Sequence, residues 1–148
     1  MAEHDPDHVF FEKVQSDNEK LRELLGGVTR IFAGGVENAD RVAESLASLA
    51  SQLETHFEEE EIAGVFDDVV ERAPHLSERV DQLKQQHKEL RIAFAGIKQL
   101  ASSGDGTVKW WNKLSKVFHD FSTDLMHHEH TENELVQEAY TQDIGSKD

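Results

Sequence analysis

The chain has 148 residues, 37% of them hydrophobic, which suits one domain with a real core and leaves little room for a second. Thirty Asp and Glu against fifteen Lys and Arg give a formal charge of -15, which repels phosphate backbones and anionic membranes, so neither nucleic acid nor a membrane is expected as partner. The absence of cysteine excludes disulfides, thiolate metal sites and cysteine nucleophiles, and "MAEHDPDHVFF" lacks the basic start and apolar core of a secretory leader, so a cytoplasmic protein is expected.

The first periodic stretch follows Pro6 and spans about residues 8 to 33, closed by Gly34 and Gly35. Its seam is Val14, Asn18, Leu21, Leu25, Val28 and Phe32, spaced 4 and 3 apart as one face of a helix requires. The second, about 38 to 63, carries Val42, Leu46, Leu49, Leu53, His56 and Glu60. A short helical piece is predicted at Val65 to Arg72, before the break at Pro74. The third stretch, about 76 to 102, carries Val80, Leu83, His87, Leu90, Phe94 and Ile97. After "SSGDG", the fourth, about 107 to 138, carries Leu114, Phe118, Phe121, Leu125, His128, Glu132 and Leu135. Residues 141–148 read as a polar tail, and nothing reads as a strand. Long helices joined by short loops imply an all-α, up-down-up-down antiparallel four-helix bundle, one domain over 1–148 with its core at about 9–138.

Each seam is apolar except at one level. A glutamate in a bundle core costs several kcal/mol unless something offsets its charge, so Glu60 and Glu132 call for a partner such as a bound cation. His56 and Glu60 are four residues apart, as are His128 and Glu132, so each pair lies one turn apart on a single helix face. His87 occupies the seam of the third helix. Neutral imidazoles with carboxylates suit iron, zinc or manganese, and two bridging carboxylates favour a pair of ions. An internal repeat supports the arrangement. "DNEKLREL" aligns with "QHKELRIA", setting Asn18 opposite His87, and "THFEEEE" aligns with "HHEHTEN", setting His56 opposite His128 and Glu60 opposite Glu132. The two halves are thus expected to be related by a pseudo-twofold axis.

The remaining candidates read more plainly. His119, His127 and His130 are expected to face solvent, His75 to sit in a turn, and His4 and His8 to lie at a frayed end. Glu58 and Glu59 read as solvated charge, whereas Glu61 is placed to hydrogen-bond an imidazole from outside the layer. Trp110 and Trp111 read as helix packing. A buried asparagine on a seam fixes helix register, coordinates a metal or holds a water, and all three roles stay open for Asn18.

Taken together, "HFEEEE", "QQHKELR" and "HHEHTENEL" resemble the signatures of the hemerythrin-like, or HHE cation-binding, domains over about residues 9 to 138. The resemblance implies a non-heme di-iron centre with His56, Glu60, His87, His128 and Glu132 as metal ligands, the two glutamates bridging. It also implies binding or sensing of dioxygen, nitric oxide or peroxide. The family usually carries a first-helix histidine where this chain has Asn18, which implies two iron ions per chain with one held more weakly. The alternative is an iron-dependent peroxidase or catalase-like enzyme. A metal-free helical interaction module would account for the long helices and acidic surface, but not for two glutamates and three histidines at one core level. Ferritin-like di-iron bundles use Glu-x-x-His, which does not occur here.

Overall fold

Each of the four seams forms a long helix in the computed structural model, which describes residues 6–62 and 64–146, with side chains over 18–62 and 64–141. The long helices are α1 (Pro6–Ala33), α2 (Ala39–Glu61), α4 (Ser77–Ser102) and α5 (Val108–Ser146), and the short α3 (Val65–Arg72) stands between α2 and α4. Among the described residues there is no strand, and no helix is long and apolar enough to cross a membrane. Val14 and His8 have side chains outside the described set, and His4 lies outside it altogether.

The breaks fall where the backbone demands glycine or proline. Gly35, with φ of 92°, turns the chain out of α1 into a single 3-10 turn at Val36–Asn38, and Gly64, with φ of 107°, separates α2 from α3. Both angles lie in the left-handed region that costs a Cβ-bearing residue about 1 kcal/mol or more. Pro74 opens a second 3-10 turn, Pro74–Leu76, that leads into α4. The last helix runs past its expected end at 138 into the stretch read as a polar tail. Leu135, Val136 and Ala139 bury one face of it in the cluster built on α3, and the Tyr140 hydroxyl donates to Asp68 of α3 at 3.2 Å.

Helix α1 packs on α2 and α5, α4 packs on the same two, and α3 lies against α2, α4 and α5. Every seam residue with a described side chain is buried. The apolar ones form two separate clusters. The larger gathers Leu21 to Phe32, Val42 to Leu53 with Phe57, Leu90 to Ile97 and Trp111 to Leu125. The smaller gathers Val65, Phe66, Val69, Leu76, Val80, Leu83 and Leu135 around α3. Along α4 and α5 the polar seam residues lie between the two clusters, and on α2 they fall at its end, between the larger cluster and the start of α3. Trp111 is buried and its indole donates to the Phe32 carbonyl at 3.3 Å, tying the start of α5 to the end of α1, while Trp110 donates to the Leu100 carbonyl at 2.8 Å.

Phe118 is 1% exposed in the larger cluster, its ring 5.5 Å from that of Phe32. Phe118→Ala is expected to destabilise the fold by about 3–5 kcal/mol in urea unfolding, the usual cost of deleting a buried phenylalanine. Because the change is remote from the polar layer, metal stoichiometry of the folded fraction should not move.

Candidate metal centre

Seven polar side chains are buried among the described residues: Asn18 from α1, His56 and Glu60 from α2, His87 from α4, and His128, Glu129 and Glu132 from α5. The helical spacing does the positioning, since each His-x-x-x-Glu pair stacks over one turn. Within the pairs, His56 Nε2 lies 3.2 Å from Glu60 Oε1, and His128 Nε2 lies 3.2 Å from Glu132 Oε1. The cross-helix approaches are as close: His87 Nε2 stands 3.3 Å from Glu60 Oε1 and 3.7 Å from Glu132 Oε2, and His56 Nε2 stands 3.8 Å from Glu132 Oε1.

These side chains fall into two groups of four that share both seam glutamates. One is Glu60, His87, His128 and Glu132; the other is His56, Glu60, Glu129 and Glu132, and within each the donor atoms lie within 4.8 Å of one another. An ion bound at about 2.1 Å by each donor spaces them at most about 4.2 Å apart, so each group is near the size of a one-cation site and needs only a small inward movement of its side chains to close on one. Hydrogen bonding gives the same answer. Glu60 Oε1, His87 Nε2, His128 Nε2, Glu129 Oε2 and both Glu132 oxygens are buried without a hydrogen-bond partner. Each would cost about 1–3 kcal/mol if nothing satisfied it, and a cation satisfies them together.

The outer edges of two imidazoles are fixed from behind. His87 Nδ1 donates to Glu61 Oε2 at 3.1 Å, and Glu61 is in turn held by Arg91 at 3.0 Å, which also makes a two-pronged contact to Glu54. His128 Nδ1 donates to Gln86 Oε1 at 2.6 Å. With Nδ1 carrying the proton, the Nε2 lone pair of each ring points into the layer. Aromatic rings complete the wall: Phe57 stacks on His87 at 4.1 Å and Phe66 at 5.4 Å.

The titration behaviour divides the three histidines. Burial, helped by the positive charges of His56 and Arg91, lowers His87 to about 3, and burial with the neighbouring His87 and His56 lowers His128 to about 3. Burial also pulls on His56, but its hydrogen bond to Glu129 and the negative charges of Glu129 and Glu132 outweigh that and carry it up to about 10. Burial raises the Glu132 carboxyl against the opposing pull of His56. Two rings therefore present free lone pairs at neutral pH, and the third holds a proton that an ion would displace.

The structure brings together all five residues singled out as ligands from the sequence, and it adds Glu129. That residue is 2% exposed and its Oε1 lies 2.8 Å from His56 Nε2. It lies about 100° around the helix from His128, between the exposed His127 and His130, so its side of the helix reads as solvent-facing. The internal repeat held the signal, because Glu129 aligns with Phe57, a core residue. Asn18 is buried, but its amide donates to Asn133 Oδ1 at 2.8 Å, a contact between α1 and α5 that suits the register role. His75 and His119 are exposed, as expected, and His130 pairs on the surface with Glu134 at 3.0 Å. Glu58 is exposed, whereas Glu59 is half-buried rather than fully solvated.

A helical protein with a buried layer of imidazoles and carboxylates has donors that could hold a cation. A family model, the hemerythrin HHE cation-binding domain, matches residues 9–140, and the chain belongs to that family. Comparison with curated proteins and with solved structures finds no match.

Two outcomes follow from the geometry. Replacing Glu61 by alanine frees the outer nitrogen of His87 and is expected to weaken metal binding about 10- to 100-fold by titration, the usual effect of losing the group that orients a ligand histidine. For metal-free protein, His87 and His128, depressed in the fold, contribute stability that is lost as pH falls from 6.5 toward about 3. The raised Glu132 opposes this in part. His56 contributes stability that is full below 6.5 and lost as pH rises through about 10. Melting temperature of metal-free protein should therefore peak near neutrality and fall on both sides, and loading with metal should flatten the alkaline limb by removing the His56 proton.

Proposed function

We propose that the buried layer is a non-heme di-iron centre that binds or senses a small ligand: dioxygen, nitric oxide or peroxide. The observation that carries this reading is the pair of overlapping four-residue groups sharing Glu60 and Glu132. In it, His87 and His128 serve one ion, His56 serves the other, and the two shared glutamates bridge them. Mixed nitrogen and oxygen donors without thiolate suit iron, and iron would supply the electrons that a diatomic or peroxide ligand accepts. We also read the four long helices as running alternately up and down, which the short connections and the Trp111 to Phe32 tie support.

The protein's own residues supply orientation and dryness. Glu61 and Gln86 hold two imidazoles in the tautomer that faces inward, while Phe57 and Phe66 keep water off His87. A cleft of about 490 Å³ between α4 and α5 is lined by Gln86, Leu90, Thr123 and His128. It leads from the surface to a ring that is itself 2% exposed, which gives a molecule of a few atoms a path to the layer. Behind the donors, Glu61, Arg91 and Gln86 are engaged in hydrogen bonds, an arrangement that favours holding a ligand over repeated proton transfer.

Iron content and the optical spectrum of freshly purified protein test the reading. The expected result is about two irons per chain, with spectra that cycle between ligand-bound and ligand-free forms without net consumption. Peroxide consumed in proportion to iron would replace it with the peroxidase reading. Chelation should lower the melting temperature, because the buried donors lose their common partner. Protein that takes up no metal and melts unchanged would remove the centre altogether.

A further inference from the structure

The two halves of the layer are not chemically equivalent, and the internal repeat shows where they part. Asn18 aligns with His87 and Asn133 with Glu61. The hydrogen bond from Asn18 to Asn133 is thus the counterpart of the one from His87 to Glu61, 2.8 Å against 3.1 Å, with the imidazole replaced by a shorter amide. At the third non-equivalent pair the exchange runs the other way. Phe57, which stacks on His87 and has no donor atom to offer, aligns with Glu129, whose carboxylate is 2% exposed and has Oε1 2.8 Å from His56 Nε2. Its other oxygen, Oε2, is buried with no hydrogen-bond partner.

We propose that Glu129 is a metal ligand, the donor that completes the second cation position in place of an imidazole at Asn18. The proposal rests on the two-ion reading above and goes beyond it in giving the two positions different chemistry. One position is held by two imidazoles and the two bridging carboxylates. The other is held by His56, the same bridges and a terminal carboxylate, and is the harder of the two. Charge supports the assignment. With Glu60 and Glu132 alone, two divalent ions would leave a net charge of +2 in a layer bounded on both sides by apolar clusters, and the Glu129 carboxylate halves it. A carboxylate-rich position suits a hard ion such as manganous better than the imidazole-rich one does.

The test is anaerobic titration of iron(II) into metal-free wild type, Glu129→Gln, Glu129→Ala and His87→Ala. Stoichiometry is read by elemental analysis, and helix content by circular dichroism. Glutamine keeps the shape and the hydrogen bond to His56, and alanine removes a buried acid, so the two variants stress the fold in different ways. The expected result is two ions in wild type and loss of one in both Glu129 variants. The second dissociation constant should rise by more than about 100-fold, beyond the 10- to 100-fold typical of a group that merely orients a ligand. The first ion should stay tight in the Glu129 variants and weaken in His87→Ala. Two ions of unchanged affinity in Glu129→Gln, or a rise of only 10- to 100-fold, would overturn the proposal and leave Glu129 as the hydrogen-bond partner of His56. A single ion in wild type, lost in His87→Ala and indifferent to Glu129, would overturn it while keeping a mononuclear centre. No iron in wild type would overturn both readings at once.

Discussion

Placing Glu60, Glu129 and Glu132 together at 2–6% exposure, with no basic lysine or arginine among the buried groups, is the constraint on which the rest of this structure turns. Carboxylates this close repel one another, and burial removes the water that would screen them. The helix bundle accommodates them by confining every buried polar side chain to one layer, with an apolar cluster on either side. The smaller cluster explains α3. Without Phe66, Val69 and Leu76 over the layer, water would reach His87 from the open end of the bundle, and the ring would lose the stacking that fixes its plane.

The polar groups outside the layer are matched to what they support. Arg91 lies over the Phe57 ring at 5.1 Å and joins Glu54 to Glu61, so the carboxylate that accepts from His87 is itself held by a cation and does not compete for the inner ions. Gln86 gives His128 a neutral acceptor instead. A neutral acceptor raises the basicity of a ring less than a carboxylate does, so two imidazoles that look alike in sequence differ as donors. The lowering of both His87 and His128 to about 3 follows from the same enclosure. Burial and the positive charge on His56 keep protons off both rings, which leaves their Nε2 lone pairs free among the carboxylates.

Much of this was legible in the sequence because helical bundles announce themselves by period. The 3 and 4 spacing from Leu21 to Phe32, Val42 to Glu60, Val80 to Ile97 and Leu114 to Leu135 specifies which face is buried, and a glutamate on such a face marks the site. Glu61 could be placed behind an imidazole because it is the second acid of the "HFEEEE" signature. Glu129 was illegible to the same reasoning. Periodicity assigns faces about a single axis, whereas a residue beside the seam is buried only if the neighbouring helix covers it, and α2 brings His56 there. The end of α5 was missed for a related reason. "EAYTQD" is polar by composition, but Ala139 and Tyr140 have α3 to pack against, and tertiary contact outweighs local propensity.

All six donors among the described residues come from α2, α4 and α5, and among the described side chains of α1 only Asn18 reaches the layer. The other buried ones, Leu21, Leu25, Val28 and Phe32, join the larger apolar cluster. Over its described side chains α1 is held by buried hydrocarbon and one amide contact to Asn133, so the cost of separating this part of the helix from the bundle is set by apolar burial rather than by the charge of the layer.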